Sequence, residues 1–268
     1  MVKRLATYVS DMALDDFLQG TTVSLGGNAA GFEVGALIRI ARASDESEPD
    51  LAGQLIWGAG NFDALQPHGW ALWMRQTGPT DWEFRWDIST LTDAVAGVNF
   101  SWSEDDLPGD YHTIFLHGIW STDITVLGQG AGPGAALYIN GFLSAAANKT
   151  SFRPAQTPPI IGNGTGMLSG PIGAPRFQVA GTCYREGAPI FDQHFAEVYK
   201  RIQTADDIAQ TDTAFQWDNI FSARRGFSSV TEPGQLWTDS VGGVVQLQRT
   251  GGGTSMDAQA ANPHHWSI

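Results

Sequence analysis

Apolar and polar positions alternate with a period of two along much of the chain, most cleanly over residues 82–87. There Trp82, Phe84 and Trp86 share one face, and Glu83, Arg85 and Asp87 share the other. This predicts a strand with an aromatic core face and a solvated, salt-bridged outer face. Residues 32–42 repeat the pattern, with arginines alternating against isoleucines. Further strands are predicted at 5–9, 22–25, 54–57, 69–75, 111–120, 177–184 and 191–200, and a short one at 158–164. Asn140-Gly141 between β-rich flanks predicts a two-residue hairpin turn, since both central residues of a type I′ turn need positive φ. A helix is predicted over 204–224. Thr204 would cap it, Asp206 and Asp207 would suit its positive N-terminal end, and Arg224-Arg225-Gly226 would end it.

Composition sharpens this picture. The 32 glycines and 13 prolines in 268 residues are the punctuation of many short strands, and the length suits one sandwich. Residues 1–226 are expected to form it. Residues 227–268 hold few large apolar residues and are expected to be an extension that docks on the sandwich or a neighbouring subunit, with Trp237 and Trp266 as anchors. The net charge of −13 leaves no basic face for phosphate, so nucleic acid and anionic membrane are not expected partners. Cys183 is the single cysteine and lies in an apolar run, so no internal disulfide can form. Residues 1–11 have a basic start but no apolar stretch, which predicts cytoplasmic synthesis without a secretion signal.

Three stretches in order carry a family resemblance: residues 111–120, the hairpin Leu137-Tyr138-Ile139-Asn140-Gly141, and the run from Phe195 to Ile208. Ile161-Gly162 lies between them. Over about residues 30–210 the chain resembles the laminin-G-like branch of the concanavalin A-like lectin/glucanase superfamily. It departs from the family pattern at Tyr111, where tryptophan is usual, and at Asp206-Asp207 in place of glutamate. The resemblance implies an all-β fold, a concanavalin A-like two-sheet jelly-roll sandwich with one main helix near the C-terminal third. The periodicity points to two packed antiparallel sheets independently.

Catalysis is not expected. The superfamily's hydrolases carry closely spaced acids on one strand, and this chain has no such segment. Glu83 and Asp87 stand about 13 Å apart at the usual strand rise, with Arg85 between them. Glycosidase carboxylates need about 5–9.5 Å. No cofactor is expected. Asp105, Asp106 and Asp110 gather hard oxygen donors in one loop and are calcium candidates, although an acidic solvated loop is the plainer reading. Sugars stack on exposed indole faces while acids and amides take their hydroxyls, so Asn61, Asp63, Trp70, Trp102 and Trp120 are the glycan-binding candidates.

A cytoplasmically made, acidic, single-cysteine sandwich of a lectin-like type leads to one expectation above others. It is a non-catalytic structural or binding protein of a tailed-phage virion: a capsid decoration, head-fibre or tail-associated component. Its expected partners are other virion or surface proteins, further copies of itself and a cell-surface polysaccharide. The alternatives are a bacterial carbohydrate-binding adhesin at the cell surface or outside the cell, and a degenerate glucanase.

Overall fold

The computed structural model describes residues 7–10, 16–41, 51–91, 96–103, 111–122, 133–168, 171–173, 176–187, 194–204, 208, 215–222, 236–238, 240–241, 245–250 and 257–260. Strands β1 (Thr7–Ser10), β2 (Phe17–Gly20), β3 (Gly31–Ala41), β4 (Gln54–Asn61), β5 (His68–Gln76), β6 (Asp81–Ile88), β7 (Ala96–Ser103) and β8 (Tyr111–Ser121) come first. β9 (Gly134–Ile139), β10 (Phe142–Asn148), β11 (Pro159–Ile161) and β12 (Phe177–Glu186) follow. Then come helix α1 (His194–Thr204) and short strands β13 (Asn219–Ser222), β14 (Leu236–Thr238), β15 (Gln246–Thr250) and β16 (Asp257–Ala260).

These strands form two antiparallel sheets packed as a jelly-roll sandwich. The first sheet runs β10-β9-β8-β3-β12-β1-β16, with β13 also paired to β12. The second runs β14-β15-β2-β11-β4-β5-β6-β7. Alternation decides what lies between them. Phe32, Val34, Ala36, Ile38 and Ile40 of β3 face Trp70, Leu72 and Met74 of β5 and Trp82, Phe84 and Trp86 of β6 in one continuous core.

The core is aromatic, and several of its indole N–H groups are paired with backbone carbonyls. Trp70 donates to Leu25 O at 2.8 Å, Trp86 to Ile119 O at 2.8 Å and Trp120 to Ala29 O at 3.0 Å. Gly118 makes room for one of them. A Cβ there would lie 2.5 Å from the Trp86 ring, so a glycine on β8 lets an indole of the opposite sheet reach the backbone.

The Asn140-Gly141 turn forms as the sequence predicts, with φ of 52° and 80°, and sets Phe142 opposite Ile139. The Asn140 side chain also accepts a hydrogen bond from Phe115 N at 2.9 Å, tying the hairpin to β8. Gly141→Val places a β-branched residue at positive φ and is expected to cost about 1–3 kcal/mol in denaturant unfolding. An unchanged midpoint would mean that the turn bears no strain.

The helix lies elsewhere than expected. The strand expected at 191–200 is largely α1, which ends at Thr204 instead of starting there. Val198 and Ile202, one turn apart, are buried against Phe115, Cys183 and Ile220 on the outer face of the first sheet. Part of the stretch expected to be helical, 219–222, is strand β13, buried at every position. The early strand expected at 22–25 falls at Phe17–Gly20.

Residues from 227–268 take part in both sheets. β15 pairs with β2, β16 pairs with β1, and Trp237, Val245 and Leu247 belong to the main core. Trp237 donates its indole N–H to Ser222 O at 3.0 Å. Trp266 lies outside the described residues.

Candidate functional site

Among the glycan candidates, burial separates core from surface. Trp70 and Trp120 are fully buried with their indole N–H groups spent on backbone carbonyls, so neither can stack on a sugar. Both sit at inward positions of strands where the opposite sheet supplies the cover. Trp102 is half-buried on β7 and leans on Phe84, with ring centroids 6.2 Å apart. Asn61 ends β4, and its Oδ1 accepts from the Asp63 amide at 3.0 Å, which closes the turn and leaves the Asp63 carboxylate exposed. Phe62 beneath it donates its backbone N–H to Gly166 O at 2.6 Å and packs on Met167 and Leu168. The structure therefore brings Asn61 and Asp63 together on one rim and leaves the tryptophans elsewhere. Asp105, Asp106 and Asp110 lie outside the described residues, and among the described ones no group of three acids, histidines or cysteines could hold a metal.

Among the described residues, an ordered polar surface lies on the outer face of the second sheet. Strand register sets its side chains in rows. Trp73 stands opposite Arg85, and Arg85 opposite Asn99; Arg75 stands opposite Glu83, and Glu83 opposite Ser101. A third row sets Ala71 opposite Asp87 and Asp87 opposite Gly97. Arg75 grips one Glu83 oxygen with Nη2 at 2.7 Å and Nε at 3.1 Å. Arg85 bridges the two acids, 3.7 Å from Glu83 and 3.3 Å from Asp87. Its guanidinium also lies over the Trp73 ring, 4.9 Å from the centroid. Trp73 in turn donates its indole N–H to Asp87 Oδ2 at 2.6 Å. Gly97 is required here, because a Cβ at that position would meet the Asp87 carboxylate at 1.7 Å.

This face was expected to be salt-bridged and solvated. It is salt-bridged, but only the arginines keep substantial contact with water: the side chains of Arg75 and Arg85 are 36% and 30% exposed, those of Glu83 and Asp87 8% and 6%. The acids are covered because Trp73 and the arginine stems lie across them. Burial pushes the Asp87 carboxyl above its ordinary value, and Arg85 and the Trp73 N–H pull it part of the way back. The folded chain thus holds this proton more tightly than the unfolded chain does. Asp87 therefore costs stability as pH rises through the range above 3.8. The stability of Asp87→Asn relative to wild type is expected to improve as pH rises through that range, read from paired denaturation curves. A difference that stays flat with pH would refute the assignment.

On the opposite side of the molecule, Glu33, His117 and Arg185 form a second charged cluster on the outer face of the first sheet. Glu33 contacts His117 Nε2 at 2.7 Å and Arg185 Nη2 at 2.5 Å. The His117 ring packs on Phe115 and Trp217, so the cluster is closed over by protein. It holds the fold together and offers no surface to a ligand.

No protein-family model matches the chain, and no curated protein matches it. Solved structures do resemble it. A candidate carbohydrate-binding protein of Bacteroides ovatus ATCC 8483 matches at a TM-score of 0.52 with 12% identity, over 96% of this chain and 60% of that one. The binding domain of botulinum neurotoxin DC, solved in complex with sialylT, matches at 0.47 with 14% identity, over 75% of this chain and 47% of that one. The first of these likenesses places the chain among two-sheet β-sandwiches, and the chain spans less than two thirds of either structure.

Proposed function

We propose that this chain is a non-catalytic binding module that takes a neutral glycan on the outer face of its second sheet. The carrying observation is the Trp73–Arg85 and Arg75–Glu83 lattice, in which half-exposed guanidinium donors are held in fixed register over a buried indole. Sugar hydroxyls need donors and acceptors that do not reorganise on binding, and ion pairs anchored to a buried indole supply them. The Bacteroides protein of similar fold is described as a candidate carbohydrate binder, which supports the reading. The acids argue against hydrolysis: Arg85 lies between Glu83 and Asp87 and contacts both, so they are not free to work as a general acid and a nucleophile.

Glycan-array screening followed by calorimetry on the full chain tests this. Binding of a neutral oligosaccharide is expected, weakened at least about tenfold by Arg75→Ala, with no reducing sugar released. An array without hits, or affinity untouched by Arg75→Ala, would refute the site, and sugar release would refute the non-catalytic reading. The setting we propose is the surface of a tailed-phage virion. An acidic chain with one buried, unpaired cysteine supports it, being suited to synthesis in a reducing compartment. Purified particles that lack the protein by mass spectrometry would refute it.

A further inference from the structure

We infer that the β7 flank of the sandwich is a self-association surface, on which a second copy of this chain pairs its own β7 antiparallel across a two-fold axis. β7 ends the second sheet, and among the described residues no strand pairs its free side. Edge strands are ordinarily blunted by a charge, a proline or a bulge. β7 reads Ala-Gly-Val-Asn-Phe-Ser-Trp-Ser, with none of the three, and its ladder with β6 is unbroken over all eight residues. It is a neutral template with an unbroken ladder behind it.

The neighbouring hairpin is neutral as well. β10 ends the first sheet on the side where it meets β7, and residues 134–148 of the β9–β10 hairpin also contain no acid or base. β7 and this hairpin therefore bring no like charges of their own against a second copy, on a chain whose net charge is −13. The hairpin exposes Phe142 and Leu143, 73% and 44% accessible. β10 itself is bulged between Leu143 and Ala145, so it covers the junction while β7 makes the ladder.

The sequence of β7 is self-complementary in one register. Side chains opposite each other in an antiparallel pair share a face, which requires the two-fold axis to pass through a residue. With the axis at Phe100, Phe100 meets its own copy, Val98 meets the second copy's Trp102, and Asn99 meets its Ser101. Aromatic pairs, aromatic–β-branched pairs and hydrogen-bonding polar pairs are the favourable cross-strand combinations. Phe100 and Trp102 are half-buried and Asn99 and Ser101 exposed in the single chain, so each has surface left to cover. The interface is isologous, which closes at two copies instead of propagating.

Light scattering and sedimentation of the full chain test this, with Asn99→Lys and Phe142→Glu as variants. Both positions are exposed, so both variants should keep the wild-type near-ultraviolet dichroism. A dimer is expected, with its dissociation constant raised at least about tenfold by each variant. A wild-type chain that stays monomeric overturns the inference, as does a dimer indifferent to both changes. So does a monomer that loses glycan binding with Phe142→Glu, which would make the flank a ligand site. Arg75→Ala, by contrast, should change glycan affinity without changing the mass, so failure of the glycan site and failure of the dimer can be told apart.

Discussion

Glu33→Ala is expected to lower stability by about 3–5 kcal/mol, the usual result of removing one partner from a buried ion pair. Glu33 has no solvent exposure, and its two oxygens are divided between Arg185 and His117. Without it the Arg185 guanidinium, whose side chain is 10% exposed, keeps its charge and loses its counter-ion. Water cannot easily replace the carboxylate, because Phe115, Cys183, Trp217 and the Val198 and Ile202 face of α1 close over that region. The loss measures the cost of stranding the arginine more than the worth of the contact. Chemical denaturation reads it directly, and a chain of this size should melt on the order of 10 °C lower. A loss below about 1 kcal/mol would mean that the pocket fills with water and screens the arginine.

Much of the sandwich is legible in residue alternation. The two faces of β6 follow from period two, and the Asn140-Gly141 turn follows from the need for positive φ, because both are local properties of the chain. What local pattern cannot supply is cover. Trp70 and Trp120 look like Trp102 in sequence, yet the first two lie under the opposite sheet and the third stands on an edge strand. The residues of α1 suggest a strand, because Phe195, Val198 and Tyr199 are β-favouring types. The helical spacing of Val198 and Ile202 decides the matter once the outer face of the first sheet is there to receive it. The lattice on the second sheet was half visible. Glu83, Arg85 and Asp87 stand out in one strand, but Trp73, Arg75, Asn99 and Ser101 join them only through the register of β5, β6 and β7. The carboxylates were expected to be solvated because strand period gives the face a residue occupies and not what lies across it.

The same limit applies to the C-terminal stretch, where the second large effect is expected. Residues 227–268 are poor in apolar residues, and their pattern alone marks them as an extension docked on the sandwich. In the structure Arg249 of β15 makes a two-pronged contact with Asp16, Nε to Oδ1 at 2.8 Å and Nη2 to Oδ2 at 2.6 Å, and neither side chain is exposed. β15 is also an interior strand of the second sheet, hydrogen-bonded to β2 on one side and β14 on the other, with Leu247 and Trp237 in the core. Arg249→Ala leaves the Asp16 carboxylate buried without its cation and is expected to cost about 3–5 kcal/mol. Asp16→Ala strands the guanidinium and should cost a similar amount. The paired replacement Asp16→Leu with Arg249→Met removes both charges and keeps the volume, so it should recover most of either loss. That non-additivity separates an ion pair that orients the strand from simple loss of packing. If the double variant is as unstable as the sum of the single ones, the two residues act independently, and the strand is held by its backbone ladder and apolar face alone. Deletion of 227–268 should be more damaging than any of these, because it takes β14, β15 and β16 out of both sheets and opens the core beside Phe221.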